Sequence, residues 1–155
     1  MTRKELPELD ISLHILDVAM NSLDAGASFI DIIVDEDDEK IAVSVTDNGA
    51  GMDADTLKKA TCEGFSTKPG NSGLGLFLLR RAAERTGGSF SLRSEKNRGT
   101  IISAVFMKNE KCPPTGDLPA TTEAIIAVSG ATDIRVIHNS PSERVCFDTR
   151  EIRNK

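Results

Sequence analysis

A chain of 155 residues, 39% hydrophobic and 28% charged, is long enough for one principal domain with its own core and too short for two generous ones. Its net charge of −5 and the acidic run DEDDE at 35–39 leave no basic patch, which argues against nucleic acid as a partner. The N-terminal MTRKELPELD lacks an apolar signal region and no run approaches the ~20 apolar residues of a membrane span, so no membrane is expected.

Asp10 or Ser12 is placed to cap a helix over SLHILDVAMNSLDA, residues 12–25, with Gly26 as its left-handed stop. Leu13, Leu16, Ala19, Met20 and Leu23 follow helical spacing, which predicts that this stripe faces the core. SFIDIIV and IAVSVTD read as strands joined in a hairpin through DEDDE. Asp53 caps a short helix ADTLKKA, and residues 61–73 are irregular. A helix over 74–86 carries Arg80, Arg81, Glu84 and Arg85 outward and stops at Gly87-Gly88. SFSLRSE and GTIISAVFM are two further strands across the turn KNRG. The order α, β, β, α, α, β, β predicts an α+β fold, with helices on one face of a mainly antiparallel sheet.

After residue 108 the composition changes. NEKCPPTG, with two adjacent prolines and a glycine, reads as a linker over 109–116. Beyond it, Asp117 caps a helix LPATTEAIIAVSG, and DIRVIH and ERVCFD form two short strands around NSPS. Residues 117–155 are thus expected as a small αββ appendage, below the size that usually folds alone and docked on the main domain of 1–108. Cys62, Cys112 and Cys146 are odd in number and have no CxxC spacing, which fits reduced thiols in the cytoplasm.

Three features carry chemistry. On the first helix His14, Asp17, Asn21 and Asp24 form a polar stripe at i, i+3, i+7 and i+10, flanked by apolar Ile15 and Val18. Such a stripe is either a solvated face or the lining of a pocket. In the second case Asp17 and Asn21, one turn apart, offer the oxygen ligands that suit magnesium. In IAVSVTD, alternation puts Asp47 on the same face as Ile41, Val43 and Val45, so a carboxylate is aimed at the core side. NGAGM follows, where Gly49 and Gly51 remove side-chain bulk. The arrangement is either a common DNG turn or a carboxylate awaiting a ligand's amino group. Finally, SGLGL opens a helix, whose unpaired N–H groups favour an anion such as phosphate. Neither GxxxxGK[ST] nor GxGxxG is present.

Taken together, LDVAMNSLDAGAS, DNGAGM, FSTKPGNSGLGL and RGT resemble the ordered N, G1, G2 and terminal G boxes of the gyrase, Hsp90, histidine-kinase and MutL ATPase superfamily (GHKL), over residues 10 to about 108. The resemblance implies an α/β sandwich, the Bergerat ATP-binding fold, with ATP between the helices and a mixed sheet. It implies ATP and Mg2+ as cofactors, with Asn21 resembling the magnesium-binding asparagine and Asp47 the carboxylate that reads the adenine amino group. Gly49, Gly51 and the adjoining Met52 would border the adenine. Gly73, Leu74 and Gly75 would meet the phosphates, with Lys68 as a further contact from a lid over 62–72. Thr100 would support the water beside Asp47.

NSLDAGAS is close to MutL wording, whereas FSTKPGNSGLGL is histidine-kinase wording. The length leaves no room for the second domain of MutL, no dimerisation helix with an acceptor histidine precedes residue 10, and the size is similar to the anti-sigma-factor serine kinases. The expectation is an ATP-binding module acting as a protein kinase on a separate partner or as a slow ATPase; the alternative is a non-catalytic, ATP-gated regulatory module. Asp17 stands where hydrolysing members carry a glutamate that serves as general base. An aspartate is one methylene shorter, a displacement of about 1 Å that costs ~100-fold in rate.

Overall fold

The computed structural model describes residues 9–61 and 75–153. Helix α1 (Ile11–Asp24) begins at Asp10, whose carboxylate accepts from the Leu13 N–H at 2.9 Å and from the Ser12 hydroxyl at 2.8 Å. Of the two expected caps, Asp10 therefore serves and Ser12 supports it. The helix stops at Ala25, after which Gly26 takes φ +80°, the left-handed geometry that ends helices without a Cβ penalty.

The buried arc of α1 differs from the predicted stripe. Ile11, Ser12, His14, Ile15, Val18, Ala19 and Ser22 are buried, Leu16, Met20 and Leu23 only partly so, and Leu13 is 40% exposed. The reason is the neighbourhood: α1 packs against two other helices as well as the sheet, so the arc it buries is broad and centred elsewhere.

Strands β1 (Phe29–Glu36) and β2 (Lys40–Asp47) form the expected antiparallel hairpin. Its turn is held by Asp37, which accepts from the N–H groups of Glu39 and Lys40 and has its pKa lowered chiefly by those two bonds. Helix α2 (Ala54–Lys59) is capped by Asp53, and α3 (Gly75–Arg85) ends at Gly87 with φ +85°. Strands β3 (Ser89–Glu95) and β4 (Gly99–Met107) pair antiparallel, and β4 also pairs antiparallel with β2.

The C-terminal helix and strands are present as α4 (Leu118–Val128), β5 (Asp133–Asn139) and β6 (Arg144–Asp148), followed by a short helix α5 (Thr149–Arg153) that the sequence reading did not include. They continue the same sheet. Its order is β3-β4-β2-β1-β5-β6, antiparallel throughout except where β5 runs parallel to β1. At that seam Asp31 and Arg135 form a two-pronged ion pair between neighbouring strands. The segment before α4 straps the start of α1: Ile11 N–H bonds Pro114 O and Ser12 N–H bonds Thr115 O, both at 2.9 Å.

One apolar core lies between sheet and helices. Alternation sends Ile30, Ile32, Val34, Ile41, Val43, Val45, Ile102, Ala104, Phe106, Ile134 and Val136 inward, where they meet Ile15, Val18, Leu79, Ala83 and Ile125. Helices on one face of a mixed, mainly antiparallel sheet are the architecture that the element order predicts. Among the described residues no helix is long and apolar enough to cross a membrane.

Candidate functional site

Asp47 is the last residue of β2, and the strand's alternation carries it to the inner face, where it is 8% exposed. Its Oδ2 accepts from the Ser22 hydroxyl at 2.6 Å and its Oδ1 from the Gly49 N–H at 2.8 Å. Each oxygen of an ionised carboxylate has two lone-pair sites, so acceptor capacity remains on both. The second bond is the local turn that the DNG tripeptide predicts; the first comes from α1 and fixes the carboxylate in space.

The backbone after Asp47 is held from three sides. Ala50 N–H bonds Ala25 O at 2.9 Å, Asn97 N–H bonds Ala50 O at 2.6 Å, and Met52 N–H bonds the Ser94 hydroxyl at 2.8 Å. Glycine is required at two points of this loop. A Cβ on Gly49 would stand 2.9 Å from the Ala25 Cβ, and one on Gly51, which has φ +69°, would stand 2.0 Å from Glu95 O. Thr100 lies opposite Asp47 in the β2–β4 ladder, and its hydroxyl bonds that of Ser94 at 2.8 Å. Asp47, Gly49, Gly51, Met52 and Thr100 are thus brought together at one end of the sheet.

Asp17, Asn21 and Gly75 form a second group beside it. A Cβ on Gly75 would lie 3.9 Å from the Asn21 amide nitrogen and 3.9 Å from the Asp17 Cβ, so the first turn of α3 faces the polar side of α1. Asn21 is half-buried and Asp17 exposed, yet desolvation by the surrounding protein raises the pKa of the Asp17 carboxyl above that of an ordinary aspartate. The polar stripe does not act as one surface: Asp17 and Asp24 are exposed, whereas His14 is 3% exposed and turned into the core. Lys68, Gly73, Leu74 and the lid over 62–72 lie outside the described residues.

Sequence reasoning did not single out three residues that hold this site together. Ser22 holds Asp47, and Ser94 joins Met52 to Thr100. The Asn48 side chain accepts from the N–H groups of Ser28 and Phe29 and donates to the Ser28 hydroxyl, latching the end of β2 to the start of β1. Asn48 had a visible signal, since the asparagine of DNG is a turn residue that bonds nearby backbone. Ser22 had none beyond being a small polar residue beside Asn21.

Residues 8–110 match the family described as histidine kinase-, DNA gyrase B-, and HSP90-like ATPases, and the chain belongs to it. It is an ATP-binding, histidine-kinase-like domain. Relatives include a probable C4-dicarboxylate sensor kinase of Halalkalibacterium halodurans, 36% identical over 95 residues that cover 57% of this chain and 18% of that one. Another is the sensor histidine kinase ZraS of Escherichia coli, 30% identical over 105 residues that cover 63% of this chain and 23% of that one. The chain thus spans less than a quarter of the length of these relatives. Among solved structures, the N-terminal domain of a DNA repair protein shares the fold with TM-score 0.55 and 16% identity, over 88% of this chain and 51% of that one.

Proposed function

We propose that the chain binds Mg2+-ATP between α1, α3 and the end of β2, and passes the γ-phosphoryl group to a separate protein. The observation that carries this reading is the pairing of a buried, anchored carboxylate at Asp47 with the start of α3 facing Asp17 and Asn21. In this reading the free lone pairs of Asp47 accept from the adenine amino group, with Thr100 and Ser94 beside it holding water. Gly49, Gly51 and Met52 form the backbone wall against the base.

The first N–H groups of α3, from Gly75 onward, are donors for the phosphates, where the helix dipole favours negative charge. By the family resemblance, Gly73, Leu74 and Lys68 would add further phosphate contacts. Asn21 supplies an amide oxygen for magnesium, an ion that keeps waters and substrate phosphates as most of its ligands. One protein oxygen together with substrate phosphates and waters is an arrangement that magnesium commonly takes. When bound, the ion neutralises charge on the phosphates.

The acceptor attacks the γ-phosphorus and the bond to ADP breaks. Where the acceptor is a hydroxyl or water, Asp17 takes its proton; a raised pKa brings that carboxyl nearer to a useful general base. A second reading, an ATP-gated regulatory module without chemistry, is favoured by the one-methylene shortfall of Asp17 against glutamate. On either reading the place of action is the cytoplasm, where ATP is abundant and unpaired cysteines such as Cys112 and Cys146 stay reduced.

Calorimetry of Mg2+-ATP with wild type and Asp47→Asn, with phosphate release followed in the same samples, tests the proposal. Binding lost in Asp47→Asn and release lost in Asp17→Ala are the expected results. Binding without release, even with candidate acceptors, selects the gated module, and no binding overturns both readings.

A further inference from the structure

The five residues Ala25 to Phe29, between α1 and β1, are gripped from two directions. From the site side, Ala25 O accepts from Ala50 N–H, and the Ser28 and Phe29 N–H groups are taken by Asn48. From the C-terminal side, the Thr132 hydroxyl donates to Ala27 O at 2.7 Å, Asp133 N–H bonds Ser28 O at 3.0 Å, and the Arg150 guanidinium lies 4.4 Å from the centroid of the Phe29 ring. The turn's remaining N–H groups bond back to α1, Ala25 to Asn21 O, Gly26 to Leu23 O and Ala27 to Ser22 O. Every backbone N–H of this segment is thus bonded, and its bonds reach both the Asp47–Gly51 loop and the C-terminal strands.

The gripping groups on the C-terminal side are themselves braced. The Thr149 hydroxyl accepts from Ile134 N–H and donates to Asp133, and Arg150 is held by both oxygens of Asp148. All of them lie beyond residue 110, where the family match ends. We propose that Thr132 is a positioning residue for nucleotide binding, through which the segment of α4, β5, β6 and α5 sets the Ala25–Phe29 turn and hence the Asp47–Gly51 loop. This rests on the reading of that loop as the adenine side of an ATP site. A protein partner that engages or pulls on the C-terminal segment would thereby change ATP affinity.

The test uses the full chain. Thr132→Val removes the hydroxyl and keeps the shape, Thr132→Ser restores the hydroxyl, and Thr122→Val removes a buried hydroxyl of α4 that bonds only its own helix, at Leu118 O. Thr132→Val is expected to weaken Mg2+-ATP binding roughly five- to tenfold. The Ser variant and Thr122→Val are expected to stay near wild type. Amide exchange of Ala50 in the free protein should quicken in Thr132→Val alone.

Wild-type affinity and exchange in Thr132→Val, or equal weakening by Thr122→Val, overturn the proposal. Should Thr132→Val not fold, Arg150→Gln probes the same turn from an exposed position, and unchanged exchange at Ala50 there overturns it likewise. Failure of the wild type to bind ATP overturns the nucleotide reading, and the exchange comparison then decides the coupling on its own.

Discussion

The Ser22 hydroxyl stands 2.6 Å from Oδ2 of Asp47, a buried hydrogen bond between α1 and β2 one residue from Asn21. It makes the two halves of the candidate site one object, because the helix that carries Asn21 also fixes the carboxylate. Removing the donor leaves a buried charged oxygen short of a partner. Ser22→Ala is expected to lose about 1–3 kcal/mol in urea unfolding. A double-mutant cycle with Asp47→Ala should be strongly non-additive, since the second change removes the group that the first one strands.

Glycine at 51 and at 26 answers to different constraints. Both have positive φ, but a Cβ on Gly26 meets nothing within 4 Å, while one on Gly51 stands 2.0 Å from Glu95 O. Gly26→Ala should therefore cost only the conformational penalty, about 1–2 kcal/mol. Gly51→Ala adds a backbone clash and should exceed about 4 kcal/mol, enough to unfold a small domain. Thermal unfolding followed by circular dichroism separates the two.

Asp17 sets the pH dependence of any phosphate release. Desolvation by the surrounding protein raises its pKa, so the acid limb of the rate profile is expected above the ordinary aspartate value, with release falling as the carboxyl protonates. Asp17→Asn should abolish release and leave ATP affinity within a few fold. Asp17→Glu, which restores the missing methylene, should raise the rate by up to ~100-fold. A rate indifferent to all three changes excludes Asp17 as the base.

At the opposite end of the sheet, Glu36 joins three strands or their flanks. Its carboxylate meets Lys108 Nζ at 2.8 Å and His138 Nε2 at 3.2 Å. The Lys108 hydrogen bond, with that of His138 adding to it, holds the Glu36 carboxyl below its ordinary value. A depressed carboxylate pKa contributes stability that is present above the unfolded value and lost as pH falls through the folded one. Glu36→Gln should accordingly melt below wild type at pH 7, and the gap should close only as the pH falls below the ordinary glutamate value and through the lowered one of the folded protein.

The sequence discloses those parts of the molecule whose determinants are local. Asp47 was legible because strand alternation is rigid: once Ile41, Val43 and Val45 face inward, the fourth position follows. Caps at Asp10, Asp53 and Asp117 were legible because each bonds a backbone N–H three residues on. The rotation of α1 was not, because apolar residues lie around most of its circumference and only the packing of α3 and α4 selects the buried arc. Ser22 and Thr132 escaped for a related reason, since each acts on a residue 25 or 105 positions away. The pairing of β5 with β1 is equally non-local, and the Asp31–Arg135 ion pair across it spans 104 positions.

That seam has a consequence for how the chain comes into being. During synthesis β1, β2, β3 and β4 are available long before β5, so Ile30, Ile32 and Val34 await their last neighbour with one strand edge unpaired. Closure over so long a loop is slow, and an open apolar edge is the kind that recruits other chains. The arrival of β5 therefore also ends the interval in which the nascent protein presents the open edge of β1.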